Sequence, residues 1–163
     1  MSRYANASWA ATCVLFLLSL NSQVLATEDD VLAAMEAFIE AFENGDLETM
    51  EAAFSPNAVT FPRAIMAYEY DGEIDVAKYR RVSGIDPQMR EIVNRLKKSG
   101  RDSPYLDINP VDLDIKVFGT AALVTFHLGG GESIGRRTFV LELIDDAWKI
   151  VHLHASNVSE ARE

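Results

Sequence analysis

The sequence predicts an α+β fold, with helices in the first half of the chain and an antiparallel meander in the second. Three observations carry this. Apolar residues recur at spacings of three and four in Leu32–Phe42, Leu47–Phe54 and Met89–Leu96. From Val111 onward they recur at every second position, the period of a half-buried strand. Gly119, Gly129-Gly130-Gly131 and Asp145-Asp146 then cut the second half into four strands. Helices that precede strands, rather than alternate with them, argue against a parallel sheet of βαβ units. We find no internal repeat and no low-complexity segment.

The first 26 residues stand apart from the rest of the 163. One charge, Arg3, precedes an apolar run from Trp9 to Leu20, then a polar break at Asn21-Ser22-Gln23 and the small-residue end Val24-Leu25-Ala26. That is the order of a secretory signal peptide, and the run falls short of the roughly 20 residues that span a bilayer. Residues 1–26 are therefore expected to be a signal peptide cleaved after Ala26, and residues 27–163 a single domain, periplasmic or secreted, without stable membrane insertion after cleavage. The single cysteine, Cys13, lies within the leader, so the mature chain has neither a disulfide framework nor a thiol nucleophile. Loss of Arg3 takes the formal charge from −10 to −11. So acidic a chain, with no basic run longer than Lys97-Lys98, is not expected to bind nucleic acid.

In the first half, Thr27 is placed to cap a helix whose first turn carries Glu28, Asp29 and Asp30, where the helix dipole favours acids. Leu32, Met35, Ile39 and Phe42 form its apolar face, and Asn44-Gly45 ends it. Asp46 caps a shorter helix with Leu47, Met50 and Phe54 on one side, stopped by Ser55-Pro56-Asn57. Ala58–Pro62 reads as a strand, Gly72 as a turn after Tyr68 and Tyr70, and Ile74–Val82 as a weakly amphipathic helix. Asp86-Pro87 starts a further helix with Met89, Ile92, Val93 and Leu96 inward, closed by Ser99-Gly100.

In the meander, Leu113, Ile115 and Val117 alternate with Asp112, Asp114 and Lys116. A two-residue turn at Asp145-Asp146 sets Glu142 opposite Lys149, Leu143 opposite Trp148 and Leu141 opposite Ile150, so opposite charges meet and apolar groups meet. A one-residue slip would spoil all three pairs. Extended without interruption, this register puts Arg137, Phe139, Leu141, Leu143, Trp148, Ile150, His152 and His154 on one face, with Arg137 opposite His154. A four-residue loop, Gly129–Glu132, adds Ala122, Val124, Phe126 and Leu128 to that face and sends His127 to the other. The three histidines then do not converge, and His152-x-His154 alone is a weak metal signal, so neither a metal nor another cofactor is expected. The pair either satisfies the edge of a core or lines the mouth of a cavity, with Arg137 available to an anionic or carbonyl group.

The stretches Phe38–Phe61 and Ile108–Phe126, the glycine at Gly72, and the closing Trp148-x-Ile150-x-His152-x-His154 pattern resemble the SnoaL-like members of the nuclear transport factor 2-like superfamily. More narrowly they are similar to the association (hub) domain of calcium/calmodulin-dependent kinase II and its bacterial relatives. The resemblance implies a cone, a curved antiparallel sheet wrapped over N-terminal helices, with a pocket at its wide end and dimers or larger rings formed through the sheet. It departs at Ala155, where hub domains often carry an arginine of a carboxylate-binding pocket. The segment Ser83–Asp107 is also longer than the resemblance implies, and is placed either to cap the pocket or to alter assembly.

Two functions follow as expectations, because the fold alone decides neither. The first is a small, largely apolar ligand bound in a cone pocket lined by Phe61, Tyr68, Phe126, Arg137, Phe139, Trp148, His152 and His154. There an isomerase, cyclase or dehydratase type of enzyme would use His152 as base and Tyr68 or Tyr70 as donor. The second is a non-catalytic hub or adaptor, a homodimer or larger homo-oligomer joined through an outer face carrying Thr138, Val140, Val151 and Leu153 beside Arg136, Glu142 and Lys149.

Overall fold

The computed structural model describes residues 26–61, 82–85, 87–130 and 133–159. The expected signal peptide, Tyr68, Tyr70, the Gly72 turn and nearly all of the Ile74–Val82 helix lie outside these residues. Val82, placed at the end of that helix by the sequence, instead begins a short strand.

Helix α1 (Glu28–Asn44) opens on a capping box in which the Thr27 hydroxyl accepts the Asp30 N–H while the Asp30 carboxylate accepts the Thr27 N–H. It ends at Gly45, whose left-handed backbone (φ 68°) a side chain would strain. Its fully buried stripe is Val31, Met35, Phe38 and Ala41. This is the expected apolar face rotated by about one residue, which leaves Leu32 and Ile39 on its flank. Helix α2 (Leu47–Ala53) is capped by Asp46, which accepts the Thr49 N–H, and it buries Met50.

Strand β1 (Phe54–Phe61) starts four residues earlier than expected and runs through Pro56 with a register irregularity between Phe54 and Val59. Strand β2 (Val82–Ser83) and helix α3 (Pro87–Lys97) follow. Next come the meander strands β3 (Pro110–Phe118), β4 (Ala121–Gly130), β5 (Ser133–Ile144) and β6 (Ala147–Ser159). The sheet order is β2-β1-β6-β5-β4-β3, with β1 parallel to β6 and every other pair antiparallel. The curved, unclosed sheet packs against the helices as the expected α+β cone.

Asp145 and Asp146 both adopt positive φ and form the expected two-residue turn, and Glu142, Leu143 and Leu141 lie opposite Lys149, Trp148 and Ile150. Lys149 does not spend its charge on Glu142, however, because its ammonium donates to the Ala52 carbonyl at the end of α2 (2.6 Å). The β4–β5 loop is two residues shorter than expected, with Gly130 opposite Ser133. A two-residue change preserves which side each residue faces. Ala122, Val124 and Phe126 are accordingly buried, and Arg137 lies opposite Phe126.

One correction changes the expected site. The β5–β6 register shifts between Val140 and Leu141, because Val151 is an extra residue on β6. Beyond this bulge, Val140 faces His152, Phe139 faces Leu153, Thr138 faces His154 and Arg137 faces Ala155. Leu153, expected on the outer face, is therefore buried in the core at 4% exposure. His152 and His154, expected inside with Phe139, occupy the opposite face, where His154 is exposed.

Candidate functional site

The residues expected to line one pocket separate into three groups. Phe126 and Phe139 are stacked, with ring centroids 5.7 Å apart and planes 15° apart. Phe38 of α1 meets Phe139 edge-on at 5.8 Å and Phe54 at 5.7 Å. These rings fill the space between α1 and the sheet as core, with Trp148 partly buried against them. Among the described residues, Phe139 and Trp148 contribute to this packing.

Arg137 stays on the inner face, beyond Phe139. Its guanidinium lies across Gly135 and donates to the carbonyls of Arg136 (2.9 Å) and Ser156 (3.1 Å). It ties the ends of β5 and β6 together. His152 donates from Nδ1 to the Val59 carbonyl (2.9 Å), linking β6 to β1 on the face away from the core. His154 pairs in register with Phe61, of which only the backbone is described, and Tyr68 lies outside the described residues. The two histidines and Arg137 do not meet on one face, because the bulge at Val151 sends them to opposite sides. Among the described residues no three or more His, Cys, Asp or Glu side chains are grouped to hold a metal ion.

Among the described residues, open space lies between the exposed flank of α1 and the start of the meander, in a groove of about 620 Å³. One wall is Leu32, Met35, Glu36, Ile39, Glu40 and Glu43, two adjacent stripes of the helix. Pro104, Ile108, Pro110 and Leu113 form the other wall, and Phe126 is at the floor. The far wall is held by its own polar contacts. The Glu43 carboxylate accepts the Ile108 N–H, the Glu43 carbonyl accepts the Tyr105 N–H (2.7 Å), and Ser103 donates to the Asn44 side chain. The end of the long Ser83–Asp107 segment thus builds part of this wall.

Asp112, with φ 53°, marks a second bulge, between Val111 and Asp114, that turns Leu113 toward the groove. Leu113 is 40% exposed there, apolar surface that the protein's own side chains leave uncovered. The sequence reading missed this groove, although a signal existed. The apolar arc of α1 is wider than one core stripe requires, and the surplus Leu32 and Ile39 stand beside acids at positions 36, 40 and 43.

Comparison with known families matches residues 74–160, more than half of the chain, to the SnoaL-like domain. The chain belongs to the SnoaL-like family. Among solved structures, a proposed dehydratase of the nuclear transport factor 2-like family from Streptomyces avermitilis is similar at 23% identity and a TM-score of 0.58, covering 80% of this chain and 94% of that one. A cystatin-like fold protein from Burkholderia xenovorans is similar at 19% identity and a TM-score of 0.54, covering 82% and 92%. The association domain of the calcium/calmodulin-dependent kinase II of C. elegans has 15% identity and a TM-score of 0.54, covering 78% and 93%. At these identities the likenesses establish the fold of this SnoaL-like protein. No curated protein matches the chain.

Proposed function

We propose that this SnoaL-like chain is an exported protein that binds a small, largely apolar ligand in the groove between α1 and the start of the meander. The observation that carries the reading is the groove itself. About 620 Å³ falls within the roughly 300–1,000 Å³ of small-molecule sites, and the lining is predominantly apolar with a few polar groups at its edge. Export rests on the leader pattern of residues 1–26. Of the groove's carboxylates, Glu43 is engaged by Ile108 and the other two are exposed, so no buried acid and base face each other across it among the described residues. The geometry of the described residues therefore favours binding in this groove, and the isomerase, cyclase or dehydratase chemistry of the expected site would draw on Tyr68 or Tyr70, outside the described residues.

The direct test is a thermal-shift screen of residues 27–163 against small apolar compounds, run in parallel on Leu113→Trp, which fills the groove from an exposed position. A ligand that raises the melting temperature of the parent by mass action, and not that of the variant, supports the reading. Stabilisation equal in both proteins places the ligand elsewhere and sinks it.

A second reading, assembly through the outer sheet face, is supported by a separate observation. Ile134 and Val158 face each other across β5 and β6 on that side and are 54% and 47% exposed. Paired apolar surface of this kind favours a homodimer.

A further inference from the structure

We infer that the groove selects organic cations, an amine or quaternary ammonium carried on an apolar body. The inference rests on the groove being the ligand site proposed above, and it adds the chemical class. Along α1 the groove shows two parallel stripes. Met35 and Ile39 lie on the deeper one, next to the buried face of the helix, and Glu36 and Glu40 lie one turn apart on the outer one. Glu36 and Glu40 are exposed, and among the described residues neither side chain has a hydrogen-bond or ion-pair partner.

Among the described residues, no lysine, arginine or histidine lines the groove. Lys116, on the strand that supplies Leu113, is held by Asp114 at 2.9 Å, and Lys149 is held by the end of α2. An anionic ligand would therefore meet two carboxylates that no described residue neutralises, in a chain already at −10, whereas a cation would sit between them. Beneath that rim, Leu113, Ile39 and the edge of Phe126 offer apolar surface for the rest of the molecule. The apolar floor alone would accept a neutral ligand, and the rim supplies the discrimination by sign.

The test uses three probes with one apolar body and different heads: 4-phenylbutylamine, 4-phenylbutan-1-ol and 4-phenylbutyrate. Each is titrated into residues 27–163 at low ionic strength by calorimetry, with backbone amide NMR to locate the contact. The amine is expected to bind about tenfold or more tightly than the carboxylate and to weaken as salt is added. In Glu36→Gln/Glu40→Gln the amine should lose about two- to fivefold, the scale of an exposed charge pair, while the alcohol is unchanged.

Equal binding of amine and carboxylate, or an amine affinity indifferent to the double variant, overturns the charge selection. The groove as a ligand site then survives if the amides of α1 and β3 still respond. If none of the three probes perturbs those amides, the groove reading fails, and the inference built on it fails with it.

Discussion

Leu153 lies directly across from Phe139 on the inner face of the β5–β6 ladder, the place that an uninterrupted strand would give to His152. The extra residue Val151 causes the exchange. A single unpaired residue moves everything beyond it to the other side of the sheet relative to the uninterrupted register. It decides that the C-terminal histidines belong to the outer surface and the leucine to the core.

The bulge makes a stability prediction that reverses the straight-strand one. Leu153→Ala should cost about 2–5 kcal/mol in chemical denaturation, as for a buried leucine, whereas His154→Ala should change stability by under about 1 kcal/mol. A larger loss at His154 than at Leu153 would restore the uninterrupted register.

Thr60, on β1 beside Leu153, is fully buried, and its hydroxyl has no hydrogen-bond partner among the described residues. An unsatisfied buried hydroxyl is a cost that the nearly isosteric valine removes, so Thr60→Val should raise stability by about 1 kcal/mol. A loss of that size in the same denaturation experiment would mean that the hydroxyl is satisfied in solution.

The two helix caps give the fold a dependence on acid. Hydrogen bonds from Thr49 hold Asp46 below its ordinary value of 3.8, and hydrogen bonds from Thr27 do the same for Asp30. A carboxyl whose folded pKa is depressed adds stability that is fully present above 3.8 and is lost as pH falls through the lower folded value. Thr27→Ala and Asp46→Asn should each flatten the acid limb of a stability profile followed by circular dichroism. Both effects should be largest near neutral pH; that of Asp46→Asn should vanish well below 3.8, whereas Thr27→Ala keeps a pH-independent loss because the Thr27 hydroxyl also accepts the Asp30 N–H. A variant effect constant across that window would remove the caps as its source.

On the outer face, Ile134→Lys should leave the fold intact, because the side chain is 54% exposed. If Ile134 and Val158 join two copies, light scattering should record a fall from dimer to monomer mass. An unchanged mass would take this end of the sheet out of any interface.

Much of the fold was legible in the sequence because local chemistry specified it. The caps at Thr27 and Asp46, the left-handed stop at Gly45, and the Asp145-Asp146 turn that fixes the first pairs of the β5–β6 hairpin each depend on residues near one another in the chain. The burial of Val124 and Phe126 also followed, because a loop wrong by two residues preserves the alternation of faces. What the sequence could not determine is where a regular ladder breaks. Val151 and Asp112 read as ordinary members of alternating strands, and their bulges answer to the curvature that wraps the sheet over α1. The groove has the same origin. Leu32, Ile39 and Leu113 each look like core from their spacing, and only the seating of α1 against the sheet, with the wall of residues 104–110 tied to the end of that helix, leaves them facing open space beside Glu36 and Glu40. Periodicity records that a side chain avoids water, whereas the packing of distant segments decides whether the protein itself covers it.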